Sequence, residues 1–467
     1  MNKKKLIIPV EFQNRELKGA CILASVFVKK GWDVYIGQKQ QFFPLINMFS
    51  RAVWYVKSVV PGEQGLLQKL KNENHFIASY DVEGLMLNPH TKFGYKTRYS
   101  TKNIKLVDVL FFWGARQYKE FSKTFSPGKK SFIVGSNIFD ANKVFKTKNV
   151  KIKNQILFIS SFTTQNPINK KAEDEILDYT TGNKNRGELK KILTGWSNLT
   201  DKMFGDFLKF LLYSKGKIDP KLKIVIRPHP SENFKFWNDF KKKNSLNYRV
   251  ENNKNLSEQI LESKYVAQYL STTSVLTNFL KRPCILYCKL KNWEIKKYFN
   301  EFSKKISINY KDASKFINDL NKNTIKIKDS SKYLETIVEG YSSKDNFYSS
   351  KKIYNIINRK FDLDERGKNY DPFKNDMLCI YYNLKYNLKH KVGLFIANLY
   401  SFFNTKSLRF HHLTYRHKLD HKWADISSAA IKKKFKIINK KEFSKIKCIK
   451  HKNGFFKITR DNEINYN

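Results

Sequence analysis

An α/β chain of two Rossmann-like domains facing a cleft, followed by a basic, mainly helical appendage, is what the sequence predicts. Three observations predict it. Short apolar runs alternate with amphipathic stretches through the first part of the chain, the pattern of βα units around a parallel sheet. A Lys/Asn-rich stretch, Asn142 to Asn154, reads as a linker, and Gln155-Ile-Leu-Phe-Ile-Ser160 restarts the same alternation. Beyond about Asp345 the helical periodicity lengthens, and Ile431 to Arg460 is densely basic. The expected divisions are 1–145, an N-terminal Rossmann-like domain, 146–345, a second Rossmann-like domain, and 346–467, a basic appendage.

In order, Lys5 to Val10 is the first expected strand and Arg15 to Lys30 the first helix, with Leu17, Ala20, Cys21, Ala24 and Phe27 on one face. Gly31 stands where a C-cap glycine belongs. Strands follow at Asp33 to Gly37, Val53 to Val59, Phe76 to Tyr80, Val107 to Trp113 and Ser131 to Val134. In the second domain the expected elements are a helix near Asp201 to Tyr213, a strand Leu222 to Arg227, and a helix from about Asn233. A strand Tyr265 to Leu270, a helix from about Thr273 to Leu280 and a strand Cys284 to Tyr287 complete it. Leu378 to Phe403 is apolar and aromatic, but Lys385, His390 and Lys391 interrupt it, which suits lying on a bilayer or packing on the domains better than crossing.

Of 467 residues, 89 are Lys or Arg and 41 Asp or Glu, a formal net charge of +48, while 41% are hydrophobic and 15% aromatic. That apolar content supplies packed cores and excludes a wholly disordered basic tail. The charge favours polyanionic partners, although Lys, Asn, Ile and Phe are abundant as in compositional drift. No helix-turn-helix, zinc-finger or RNA-recognition signature accompanies it, so nucleic acid is not the expected partner. With no signal-peptide pattern at Met1, a cytoplasmic protein is expected. The five cysteines, Cys21, Cys284, Cys288, Cys379 and Cys448, are odd in number and scattered, against a disulfide framework. Cys284 and Cys288 make at most a zinc half-site, and His411, His412, His417 and His421 lack partners at zinc spacing, so no metal is expected.

Four motifs carry candidate chemistry. Ile226-Arg-Pro-His-Pro-Ser-Glu232 directly follows an apolar strand, where ligands bind in open α/β sheets, and the prolines fix His229. Arg227, His229 and Pro230 are candidates for phosphate contact; a plain loop histidine is the alternative. Leu270-Ser-Thr-Thr-Ser-Val275 opens a helix, so Ser271, Thr272, Thr273 and Ser274 form either an anion site or an N-cap. Ser79-Tyr-Asp-Val-Glu-Gly-Leu85 offers Asp81 and Glu83 as carboxylates and Gly84 for close approach, unless it is a solvated turn. Asp362-x-Asp364 is a second acid pair of the same type. Pro9-Val-Glu-Phe-Gln-Asn-Arg-Glu16 places Glu11, Arg15 and Glu16 after the first strand, to bind a polar donor or acceptor or to bind each other.

Together with Gly135-Ser-Asn-Ile-Phe-Asp140, these motifs resemble the bacterial surface carbohydrate biosynthesis proteins, GT-B glycosyltransferases, over residues 5 to 340. The sequence is also similar to GT-B sialyltransferases and capsule Kdo transferases. The resemblance implies a CMP-activated sugar, a nonulosonic acid or Kdo, transferred to a surface polysaccharide or lipopolysaccharide acceptor without metal or other cofactor. It implies that His229 and the hydroxyls of Ser271 to Ser274 hold the CMP phosphate, with His229 able to protonate it. It further implies that Asp81 or Glu83 is the base, Val82 standing where related enzymes have consecutive acids, and that Glu258 binds the ribose. Arg15 or Arg227 would pair with the sugar carboxylate or phosphate. A polyol-phosphate transferase of CDP-glycerol type and a non-catalytic polysaccharide-assembly protein are the alternatives. The lysine excess fits peripheral attachment at the anionic inner membrane, near an oligosaccharide or lipid-linked acceptor.

Overall fold

The computed structural model describes residues 3–84, 98–126, 128–145, 150–168, 186–299, 301–364, 428–438, 446–450 and 455–460. The first domain is a sheet in the order β13-β14-β2-β1-β3-β4-β5-β6. Its strands are β1 (Lys5–Val10), β2 (Asp33–Gln38), β3 (Val53–Val56), β4 (Phe76–Tyr80), β5 (Val109–Phe112), β6 (Ser131–Ile133), β13 (Ile446–Lys450) and β14 (Phe456–Arg460). β1 to β6 are parallel to their neighbours, and only the β14 pairings are antiparallel. Leu6, Ile7, Ile8 and Val10 are all buried, as a parallel strand covered on both faces requires. The helix Gln13–Lys29 covers one face through Leu17, Ala20, Cys21, Ala24 and Phe27, each of the larger side chains contributing roughly 1.5–3 kcal/mol by burial.

The second domain is a wholly parallel sheet in the order β12-β11-β10-β7-β8-β9. Its strands are β7 (Lys153–Ile159), β8 (Lys223–Arg227), β9 (Tyr248–Val250), β10 (Ser263–Gln268), β11 (Cys284–Tyr287) and β12 (Ile308–Tyr310). The helix Arg186–Ser214 packs on it through Phe207, Phe210 and Leu211. In each sheet the strand order reverses beside the first strand, between β1 and β3 and between β7 and β10. Such a reversal opens a crevice at the strands' carboxyl ends, and both crevices carry the motifs singled out above. Among the described residues no helix is long and apolar enough to cross a membrane.

After β12 the chain returns to the first domain. The helix Ser331–Ile337 buries Leu334 and Ile337 in the first core, and Glu339 N donates to Trp113 O at 2.8 Å. The helix Tyr348–Asp362 adds Ile353, Ile357 and Phe361 against the helix Gln13–Lys29. The helix Ser428–Ile438 inserts Ile431 and Phe435 into the same core, and β14 extends the sheet beyond β2. The described parts of 346–467 are therefore built into the first domain, not hung from it as an appendage. The cause is alternation: Cys448, Phe456 and Ile458 point inward from strands whose other positions are rich in lysine, so the segments read as merely basic. β9 and β12 are three-residue edge strands, too short to show a period.

The linker's centre, Cys379, Leu378 to Phe403 and the four clustered histidines lie outside the described residues. Asp362 and Asp364 do not converge on a site: Lys4 pairs with Asp362 at 2.5 Å and Arg51 with Asp364 at 2.8 Å. Cys284 and Cys288 are buried in the second sheet, and burial pushes their thiols up to about 12 and about 11.

Candidate active site

On the second domain, β8 ends at Arg227 and the chain turns through Pro228, His229 and Pro230. The turn is held from beneath by Glu232, which is fully buried. Its carboxylate accepts from Ser160 Oγ at 2.9 and 2.7 Å, Phe162 N at 2.9 Å, Trp237 Nε1 at 3.1 Å and His229 N at 3.3 Å. Burial raises the pKa of this carboxyl against the pull of those donors. Above it, His229 Nδ1 accepts from Ser231 N at 3.2 Å. A backbone N–H can only donate, so the neutral ring carries its proton on Nε2, away from the turn. Partial enclosure, then the charges of Arg15 and Arg227, hold the imidazole below its ordinary pKa, so it is neutral at pH 7.

Arg227 itself is turned aside. Its Nη1 donates to Lys254 O at 2.8 Å and to Gln259 Oε1, bracing the helix Leu256–Glu262 behind the loop. Glu258 lies in the first turn of that helix, half-buried and close enough to Lys18 of the first domain to offset part of the lowering that burial imposes on the Lys18 pKa. Ser257 Oγ donates to Asn142 Oδ1 at 2.9 Å, so this turn forms part of the seam between domains.

The loop after β10 divides the four candidate hydroxyls. Ser274 Oγ donates to Ser271 O at 2.7 Å and is fully buried beside Ser303 Oγ at 3.1 Å, so it braces the loop and is not presented to a ligand. Thr273 Oγ1 is buried and has no hydrogen-bond partner among the described residues. Ser271 and Thr272 are half-buried, and Ser271 Oγ, which accepts from Thr273 N at 3.3 Å, keeps its own proton to donate. Between this loop and His229 lies Ser160-Ser161-Phe162 after β7, which the sequence reading passed over. Ser161 Oγ bridges to Tyr269 O at 3.3 Å. A hydroxyl pair directly after a buried strand was the signal available.

On the first domain, the loops after β1, β3 and β4 meet in one ion-pair network. Glu83 Oε1 lies 2.9 Å from Arg15 Nη2 and 3.3 Å from Lys57 Nζ, and its Oε2 accepts from Arg98 Nη1 at 2.9 Å. Arg98 also holds Asp81 through Nε at 3.2 Å and through Nη2. Arg15 Nη2 reaches Glu16 at 2.7 Å, Glu16 accepts from Glu11 N at 2.9 Å, and Lys57 pairs with Glu11. Glu11, Arg15 and Glu16 thus bind each other through this network, and of the three the charge of Arg15 is felt at His229. Lys57 and Arg98 are site residues that the sequence reading missed: neither belongs to a motif, and only the register of β3 against β4 brings Lys57 to Glu83.

Burial alone would raise the Glu83 pKa, but Lys57, Arg98 and Arg15 outweigh it and hold it down at about 2. Gly84 lets this turn pack closely, since a Cβ there would meet the Gln117 amide and the Asp81 carbonyl. Gln117 in turn accepts from Trp113 N at 2.7 Å and donates to Tyr99 at 3.0 Å. Asp140, in the Gly135-to-Asp140 motif, lies at the crossing where the returning helix Tyr348–Asp362 meets the first domain, and it accepts from Ser349 N at 3.3 Å, Ser350 N at 2.8 Å and Ser350 Oγ at 2.9 Å. Among the described residues no group of three His, Cys, Asp or Glu is arranged to hold a metal.

No protein-family model and no curated protein matches the chain. Among solved structures it is similar to a UDP-GlcNAc 2-epimerase from Methanocaldococcus jannaschii, in complex with UDP-GlcNAc and UDP, at 12% identity and a TM-score of 0.41 over 76% of this chain and 99% of that one. It is similar to the wall teichoic acid polymerase TagF at 14% identity and 0.45, over 77% and 89%. A third is the lipopolysaccharide outer core galactosyltransferase WaaB, at 8% and 0.40, over 77% and 100%. Likenesses at this level assign no activity. The chain's own topology, two doubly wound sheets with a return of the chain to the first domain, is that of the GT-B fold.

Proposed function

We propose that the protein is a glycosyltransferase that moves a nonulosonic acid or Kdo from a CMP-activated donor to a bacterial surface polysaccharide or lipopolysaccharide acceptor. The observation that carries the reading is His229: its Nδ1 is committed to Ser231 N, so a neutral ring offers Nε2–H at the carboxyl end of a strand beside a sheet's switch point. That proton suits a phosphate oxygen. As the acceptor hydroxyl oxygen bonds to the anomeric carbon, the bond from that carbon to the CMP phosphate breaks and its electron pair leaves with CMP. Nε2–H and the hydroxyls of Ser271 and Thr272 would stabilise the charge that develops there without a metal. The acceptor proton would pass to a carboxylate of the first domain, Asp81 or Glu83, and Glu258 would bind the ribose. Arg227 contributes by bracing the loop. With Nδ1 already accepting from Ser231 N, the neutral ring donates a hydrogen bond from Nε2 and does not protonate the phosphate, which favours this reading over a phosphotransferase that needs an imidazole base at that nitrogen.

The helix Ser428–Ile438, with Lys432, Lys433 and Lys436 exposed, supports peripheral contact with an anionic inner leaflet carrying the acceptor. The test is release of CMP from CMP-Kdo or a CMP-nonulosonic acid in the presence of EDTA and a lipid-linked acceptor. Turnover should persist in EDTA and fall roughly 10²-fold or more in His229→Ala. Turnover unaffected by the substitution would sink the assignment.

A further inference from the structure

A carboxylate held at about 2 is a poor base at neutral pH, because general-base efficiency requires a pKa near the working pH. Glu83 reaches that value through three cations on three different segments: Arg15 on the first helix, Lys57 after β3, and Arg98. Asp81, Glu16 and Glu11 complete the charged surroundings. Of the three cations, Lys57 and Arg98 are enclosed, their side chains 13% and 20% exposed, whereas Arg15 is 37% exposed. Arg15 is also the first-domain residue whose charge is felt at His229 on the other wall of the cleft. The most exposed of the three cations therefore stands between the carboxylate of one domain and the phosphate-facing imidazole of the other.

We propose that Arg15 is a positioning residue that exchanges partners: in the empty cleft it neutralises Glu83, and when an anionic phosphoryl group docks against His229 it turns to that anion and releases Glu83. The inference rests on the glycosyl-transfer reading for its ligand class, a nucleotide phosphate, and adds an order to it. Lys57 and Arg98 stay paired with Glu83, so losing Arg15 removes one of its three cations and makes the carboxylate a stronger base when the donor is bound than when the cleft is empty.

Partner exchange makes a prediction that simple charge addition does not. If Arg15 must leave Glu83 to reach the anion, then removing that carboxylate leaves Glu16 as its carboxylate partner and makes the turn easier in advance. Titration of the full-length protein with CMP and with inorganic pyrophosphate should show binding that is lost in His229→Ala. In Glu83→Gln both should bind roughly three- to tenfold more tightly, and in Arg15→Ala more weakly by a similar factor. In the double variant Arg15→Ala/Glu83→Gln, the tightening should disappear. Tightening that persists without Arg15 would be long-range electrostatics and would overturn the exchange, as would no tightening at all. Arg15→Lys, which keeps the charge but not the two-pronged geometry, should retain part of the coupling, and matching thermal midpoints would exclude misfolding as the cause. Binding of neither probe through His229 overturns the phosphate-site reading itself, a result separable from intact binding with no coupling.

Discussion

Glu232→Ala should lower the stability of the second domain by roughly 3–5 kcal/mol and abolish nucleotide binding with it. The carboxylate is fully buried and ties together four donors: a serine hydroxyl, two backbone amides and an indole N–H. Deleting it strands the donors of Ser160, Phe162 and Trp237, all buried, without water, each at about 1–3 kcal/mol, with partial relaxation keeping the total below the sum. One of them is His229 N, so the loop that presents the imidazole loses its anchor along with its foundation. Glu232→Gln keeps the shape and one acceptor oxygen but turns an amide toward N–H donors, and should cost about half as much. Urea unfolding followed by circular dichroism measures the difference; a loss below about 1 kcal/mol would contradict this account of the loop.

The second large effect is a pH dependence set by Asp140. Burial raises its pKa from 3.8 to about 6, against the hydrogen bonds from Ser349 and Ser350 and the charge of Lys143. Tyr55 and Tyr80 face it from the sheet. A folded-state pKa above the unfolded value means the folded protein holds the proton more tightly. The resulting stability is fully present below about 3.8 and is lost as pH rises through about 6, a change of roughly 3 kcal/mol. Asp140→Asn cannot titrate. Relative to it, the natural protein should lose that amount between about pH 3.5 and pH 6.5, a difference in which the other acids cancel. A constant gap between the two across this range would show that the carboxyl is not buried at the crossing.

The central strands of both sheets were legible because they are continuous apolar runs bounded by turns, and the helix Gln13–Lys29 because its buried face repeats at helical spacing. What escaped the sequence shares one physical character: it is defined by pairing across distant segments. β13 and β14 look like basic filler until β14 finds β2. Lys57 and Arg98 are single cations whose meaning comes from Glu83. Glu232 lay inside a motif already singled out, but its role is to face inward, and nothing in Arg-Pro-His-Pro-Ser-Glu states which residue faces the ligand. Conversely, Ser274, Arg227 and Gly84 were marked as ligand contacts by residue type, and the structure commits each to its own neighbours.

The most direct test of the cleft as a nucleotide-sugar site is calorimetric titration with CMP, CDP, UDP and GDP, without added metal, of the intact protein and of His229→Ala. Selective binding of CMP, lost in the variant, is the predicted result. Binding of a nucleoside diphosphate in place of CMP, or CMP binding indifferent to His229, would contradict it.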